Sequence, residues 1–124
     1  MNRLSFELMV ERALQKLPKN FRQRLRNVAV VVEMESPDPD LLGLYEGRPL
    51  TERTSQDSFS MPDRITIFQR PHEQMTRNPR QLQKLVDETV WHEVAHYFGL
   101  NEEEVLRAER RRVRLANGYG EGTS

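Results

Sequence analysis

The stretch Thr89-Val90-Trp91-His92-Glu93-Val94-Ala95-His96-Tyr97-Phe98-Gly99 decides the fold of this 124-residue chain. It closes a segment in which apolar residues recur every three or four positions, which is the period of an α-helix. We predict that this helix begins at Asn78-Pro79, because Asn caps helices and Pro suits their first turn. We predict that it ends at Gly99, since glycine accepts the left-handed backbone that often follows a helix. Its apolar face comprises Leu82, Leu85, Val86, Val90, Val94 and Phe98.

The remaining chain predicts further helices around a small sheet. Ser5 is expected to cap a first helix, Pro18 to lie in the first turn of a second, and Asn101 to cap a last one. Between them, β-branched and apolar runs bounded by Pro, Gly and polar residues predict three strands, at 28–34, 41–45 and 64–69. The fold class predicted is therefore α+β, with a small mixed or antiparallel sheet and flanking helices.

Composition bounds the class of protein. The 19 basic and 19 acidic side chains cancel, which argues against a general nucleic-acid binder. No apolar run approaches the ~20 residues that cross a bilayer, and residues 1–7 do not resemble a signal peptide. We therefore expect a cytoplasmic protein without membrane or nucleic-acid partners. No repeat or linker interrupts the chain, so a single domain over 1–124 is expected, with 118–124 as a flexible tail.

The sequence His92-Glu93-Val94-Ala95-His96 carries the chemistry. Residues four apart lie on one face of a helix, so both imidazoles can bind one ion. Glu93 lies on a neighbouring flank, where its carboxylate can accept a proton from a metal-bound water and return it to a departing amine. This is the chemistry of the H-E-x-x-H pattern in zinc peptidases.

The metal ligands available to this chain are restricted, because it contains no Cys and only three His. A catalytic zinc site needs a third protein ligand and an open position. A turn at Gly99 would lead the following residues back toward the two histidines. Three acidic residues then qualify as the third ligand: Glu102, Glu103 and Glu104.

The pattern His92-Glu93-x-x-His96-x-x-Gly99-x-x-Glu102 resembles the extended zincin signature. Together with the stretches Leu41–Leu50 and Ile65–Phe68 it is similar to a more specific group, the small bacterial minimal zincins, which are predicted zinc metallopeptidases. The resemblance covers roughly residues 5–115, and the helix motif is its most specific part.

This resemblance implies a compact zincin-like fold and one Zn²⁺ ion per chain. It implies that His92, His96 and Glu102 bind the metal, with Glu103 as the second choice for the third ligand. It assigns Glu93 as the general base and acid, and a peptide or protein as the substrate. A ligand at Glu109 on the following helix is conceivable, but four arginines surround it, at positions 107 and 110–112.

Three alternatives compete with a zinc metallopeptidase that hydrolyses peptide bonds. A catalytically silent zincin-like interaction module would keep the shape without the chemistry. A metal-dependent ribonuclease has a similar His-x-x-x-His-x-x-Gly helix, but it needs a third His and gives Glu93 no role. In the last alternative, the two imidazoles are hydrogen-bonded structural groups, and burying them would be costly without such partners.

One strand, two tyrosines and the third histidine remain to be interpreted. The strand at 65–69 is interpreted either as an exposed edge that pairs with a peptide or as an ordinary core strand. Tyr45 and Tyr97 are interpreted as packing residues, with oxyanion stabilisation as the alternative. His72 follows Pro71 in a predicted loop, where we expect it to be exposed and not a ligand.

Overall fold

The computed structural model describes residues 1–49, 62–101, 103–104, 106–107 and 110. It confirms the α+β class, because helices surround a three-stranded mixed sheet. The elements, in chain order, are α1 (Arg3–Gln15), α2 (Lys19–Arg24), β1 (Val28–Glu33), β2 (Gly43–Glu46), β3 (Asp63–Phe68), α3 (Gln69–Gln74) and α4 (Pro79–Tyr97).

Strand β3 occupies the centre of the sheet, whose order is β1-β3-β2. Strand β1 runs parallel to β3 and places Val32 opposite Ile67. Strand β2 runs antiparallel to β3 and places Gly43 opposite the same Ile67. Of the two interpretations of this strand, the core strand is therefore confirmed and the exposed edge is wrong. Five of its six residues are buried, Asp63 and Thr66 among them, because the strand has neighbours on both sides.

The first helix begins earlier than its predicted cap. The Oδ1 atom of Asn2 accepts the main-chain N–H of Ser5 at 2.8 Å, so Asn2 is the N-cap and Ser5 lies inside α1. Both residue types cap helices. Asn2 takes the role because its extended backbone turns its side chain toward the free N–H groups of the first turn.

Helix α3 replaces the loop predicted around Pro71. The helix starts at Gln69, so Pro71 lies in the first turn, where a missing N–H costs nothing. This short helix follows β3 without a connecting residue and carries the side chain of His72 into the core. The prediction that His72 is exposed in a loop is wrong for this reason.

The core is formed where α4 packs against α1 on one side and the sheet on the other. Helix α1 contributes Phe6, Met9, Val10 and Ala13, and the sheet contributes Val32, Ile65 and Ile67. The buried face of α4 contributes Leu82, Val86, Val90, Trp91, Val94 and Tyr97. Since the buried face of α4 packs against these side chains over much of its length, the position of the helix in the fold is determined by packing. Among the described residues, no helix has the length and apolar character that crossing a membrane requires.

Replacement of the central Ile67 tests this account of the core. Its side chain is 0% exposed, so Ile67→Ala should lower the free energy of unfolding by about 2–5 kcal/mol. Leu8 on α1 is 52% exposed, and Leu8→Ala is the matched control, with an expected change within about 0.5 kcal/mol. Urea denaturation followed by circular dichroism measures both. Equal losses in the two variants would contradict the described core.

Candidate metal and catalytic site

His92 and His96 lie on successive turns of α4 with their rings directed to the same place. Their Nε2 atoms are 3.0 Å apart, and the two rings meet at 76°. Two nitrogens bound to one tetrahedral zinc, each at about 2.0–2.1 Å, would be about 3.3 Å apart. A few tenths of an ångström of side-chain adjustment would therefore let both rings bind one ion, and both are half-buried, which leaves access from solvent.

Glu93 lies beside this pair and faces the sheet. Its side chain is 8% exposed, although carboxylates are seldom buried to this degree. It is three positions from His96, which corresponds to about 60° around the helix, on the side of the core. Helix geometry thus places Glu93 on the flank beside the two histidines, which is the position that proton transfer beside a metal requires.

A close approach between β2 and α4 holds Glu93 at this place. A Cβ atom built on Gly43 would be 2.8 Å from Cγ2 of Thr89 and 3.1 Å from Cγ of Glu93. Only glycine therefore lets the strand lie this close to the helix. The sequence predictions did not single out Gly43, although a glycine inside a predicted strand is a recognised sign of close backbone approach.

Helix α4 ends at Tyr97, and the predicted stop residue, Gly99, follows directly after the C-cap Phe98. Gly99 has a φ of 77°, which is the left-handed conformation. Its N–H donates to the carbonyl of His96 at 2.9 Å, and the N–H of Leu100 donates to that of Ala95 at 3.1 Å. These two bonds form the Schellman motif, so the chain changes direction at Gly99, three residues after His96.

The next residues start a new helical turn. Asn101 caps it as predicted, because its Oδ1 accepts the N–H of Glu104 at 2.8 Å. In return the N–H of Asn101 donates to the Glu104 carboxylate at 2.9 Å. This reciprocal capping box occupies Glu104 at the helix start, while Glu103 is exposed.

Two of the predicted metal ligands, His92 and His96, are brought together in the described part of the chain. Within those residues, no group of three or more His, Cys, Asp or Glu side chains is arranged to hold a metal ion. Glu103 therefore does not join the histidine pair. Glu102 and Glu109 lie outside the described residues, so a third ligand at Glu102 stays a prediction.

Tyr45 and Tyr97 form part of the packing between β2 and α4. Their rings meet edge to face, with centroids 6.1 Å apart. The Tyr45 hydroxyl donates to the Asp63 carboxylate at 2.5 Å, and that of Tyr97 donates to the carbonyl of Arg26 at 2.8 Å. Both hydroxyls bond to groups of the fold, which favours the packing interpretation of these residues.

His72 lies on α3, and its ring contacts Thr89, which precedes Glu93 by one turn of α4. Its side chain is 0% exposed, with Nδ1 2.6 Å from the carbonyl oxygen of Phe68 and Nε2 2.9 Å from Oγ1 of Thr89. Burial lowers the pKa of His72 from its usual 6.5, while the hydrogen bond to Phe68 acts in the opposite direction. The sequence predictions missed this residue because the helix that carries it was not predicted.

The geometry on α4 is that of the H-E-x-x-H zinc hydrolases, with two histidines on one face and a carboxylate beside them. Comparison with models of protein families matches residues 24–111 to the zincin-like metallopeptidases. The chain belongs to this family, which implies a hydrolase that binds zinc. A search of curated proteins finds no match.

We predict that Gly43→Ala lowers the free energy of unfolding by about 1–3 kcal/mol, because the new methyl group forces β2 away from Thr89 and Glu93. Denaturant unfolding of the variant measures this loss. The double variant Gly43→Ala with Thr89→Ser removes the Cγ2 atom that the methyl group would meet. We expect the double variant to lose less stability than the sum of the losses in the two single variants. A loss equal to that sum would contradict the close approach.

We predict that stability falls as the pH decreases below about 6.5. The lowered pKa keeps His72 neutral in the fold, whereas the ring in the unfolded chain takes up a proton near 6.5. Unfolding therefore binds a proton in this range, and its free energy decreases by up to about 1.4 kcal/mol per pH unit.

The control for this pH dependence is His72→Gln, which keeps the other two histidines. Its free energy of unfolding should show a smaller slope between pH 7.5 and 5.5 than that of the parent, whatever its absolute value. Equal slopes from denaturant titrations at several pH values would show that His72 is not the group responsible.

Proposed function

We propose that this protein is a zinc-dependent peptidase that binds one zinc ion through His92, His96 and Glu102 and uses Glu93 as general base and acid. The observation that carries the proposal is the convergence of two Nε2 atoms, 3.0 Å apart, beside a buried glutamate. Membership of the zincin-like metallopeptidases supports hydrolysis as the class of reaction.

The donor set suits zinc. Two neutral imidazoles and one carboxylate make up a common catalytic zinc site with a fourth position open. Bound zinc would supply a water of lowered pKa and would polarise the scissile carbonyl. The Schellman turn supports Glu102 as the third ligand, since the chain changes direction at Gly99, between His96 and Glu102 in the sequence.

Glu93 performs the proton transfers in this proposal. Its carboxylate accepts a proton from the attacking water and then delivers it to the nitrogen of the departing amine. Burial at 8% exposure limits competing bulk water at the carboxylate, and contact of its Cγ region with Gly43 restricts its side-chain conformation. A group that is held still in this way loses little entropy in the transition state.

Strand β2 is the element that we propose for substrate pairing, in place of the strand at 65–69. In the described residues its sheet neighbour is β3 on one side. The N–H of Phe68 donates to the carbonyl of Leu42, so the alternation of an antiparallel ladder turns the main-chain groups of Gly43 away from β3. An extended peptide paired at this outer edge would pass beside Glu93.

A paired measurement of zinc content and peptide hydrolysis tests the function. Parent protein should hold one zinc per chain at pH 7.5 and cleave members of an internally quenched peptide library. Glu93→Gln should keep the zinc and lose activity by about 10²–10⁴-fold, since only the proton transfer is removed. His96→Ala should lose both, because it removes a ligand.

Two neighbouring glutamates separate the possible ligands. Glu102→Ala should weaken zinc binding in a competition assay with a chelator, by about 10-fold or more. Glu103→Ala is the matched control and should bind zinc like the parent. Absence of zinc affinity would overturn the proposal. Stoichiometric zinc without cleavage of any library member would instead favour the interaction module.

A further inference from the structure

His72 and Thr89 make three contacts of hydrogen-bond length but have only two hydrogens to donate. The contacts run from the carbonyl of Phe68 to Nδ1, from Nε2 to Oγ1 of Thr89, and from Oγ1 to the carbonyl of Leu85. These three contacts, at 2.6, 2.9 and 3.0 Å, would need three hydrogens. A neutral imidazole and one hydroxyl together provide two.

The shortest contact decides where these two hydrogens lie. Phe68 offers only a carbonyl oxygen at 2.6 Å, so Nδ1 must carry the ring hydrogen to avoid opposing two lone pairs. Nε2 is then a buried acceptor, and the Thr89 hydroxyl is the donor beside it. The carbonyl of Leu85 already accepts a main-chain hydrogen bond within α4. It therefore stays satisfied when the Thr89 hydroxyl donates to His72 instead.

The direction of the Thr89 hydroxyl also sets the position of its methyl group. Both branches leave the same Cβ, so fixing Oγ1 toward His72 fixes Cγ2. Cγ2 of Thr89 and Cγ of Glu93 both face Gly43, since a Cβ atom there would be 2.8 Å from the first and 3.1 Å from the second. The two residues are four apart on α4, so their side chains share one face of the helix. Without the bond to His72, a helical threonine divides between two rotamers that both reach carbonyls of the preceding turn.

We propose that His72 is a positioning residue that orients Thr89 and thereby holds the Glu93 side chain against Gly43. The effect on catalysis rests on the proposed peptidase function, whereas the effect on side-chain geometry does not. His72 touches neither of the two histidines in any described contact. It acts through Thr89, the residue one turn before Glu93 on α4.

Two replacements of His72 separate its two hydrogen bonds. His72→Asn places an amide near the position of Nδ1 and keeps the contact with Phe68, but it cannot reach Thr89. His72→Gln places its amide near the position of Nε2 and keeps the contact with Thr89. Both remove the buried ring, so a purely structural role would make them equally harmful.

The readout is the χ1 distribution of Glu93, measured in the full metal-free chain by three-bond NMR couplings to its Cγ. The parent and His72→Gln should show the couplings of one rotamer, and His72→Asn should show averaged values. Adding Thr89→Val to His72→Asn should restore the parent values, because a helical valine occupies one χ1 rotamer about 90% of the time without any hydrogen bond.

Kinetics of the zinc-loaded chain provide the second readout. His72→Asn should lower kcat by about 10-fold or more with KM within about twofold, since a displaced general base slows chemistry more than binding. Thr89→Val in the same chain should recover kcat. A parent that cleaves no peptide would refute the proposed function, and the Glu93 couplings would still decide the positioning role.

The proposal is overturned by parent-like Glu93 couplings in His72→Asn, by equal averaging in the Asn and Gln variants, or by no recovery on adding Thr89→Val. If His72→Asn does not fold, Thr89→Ser takes its place. It keeps the hydroxyl and removes only the Cγ2 methyl that faces Gly43 on the same side of α4 as Glu93. Averaged couplings in Thr89→Ser would support the proposal, and unchanged couplings would overturn it.

Discussion

Packing of α4 against β2 is the contact on which the rest of the structure depends. The helix buries an arc of its surface against α1 and the sheet, and the site lies at the border of that arc. Gly43 allows the strand to approach until Thr89 and Glu93 are in van der Waals contact with its backbone. Any larger residue would separate the two elements and release the carboxylate.

This contact explains how a small core supports a chemical site. Val86, Val90 and Val94 anchor one side of α4 in the core, where all three are 0% exposed. The helical period then places Glu93 at the boundary and the two histidines beyond it, near solvent. A rigid helix with one buried side thus determines the relative positions of three polar groups.

Several elements were predictable because their signals are local. The caps of α4 at Asn78 and Gly99 follow from hydrogen-bonding groups within a few residues of each helix end. The spacing of the two histidines follows from helix geometry alone. The strands were found within about two residues, because β-branched runs bounded by turn residues depend little on their neighbours.

Other features depend on what the elements contact. Pro71 suggested a loop. Because α3 begins at Gln69, Pro71 is the third residue of that helix, where its missing N–H is harmless. Strand β3 lies in the centre of the sheet, although its sequence is equally consistent with an edge. Burial of His72 and the role of Gly43 likewise follow from contacts between segments far apart in the chain.

The sequence by itself determined the helical motif, its candidate ligand atoms and the face on which they lie, since residues four apart on a helix share a face in any fold. Only the tertiary structure decided which strand lies beside Glu93 and which buried groups support it. Those choices depend on long-range packing, where a single hydrogen atom in place of a methyl group at Gly43 determines how closely a strand and a helix approach.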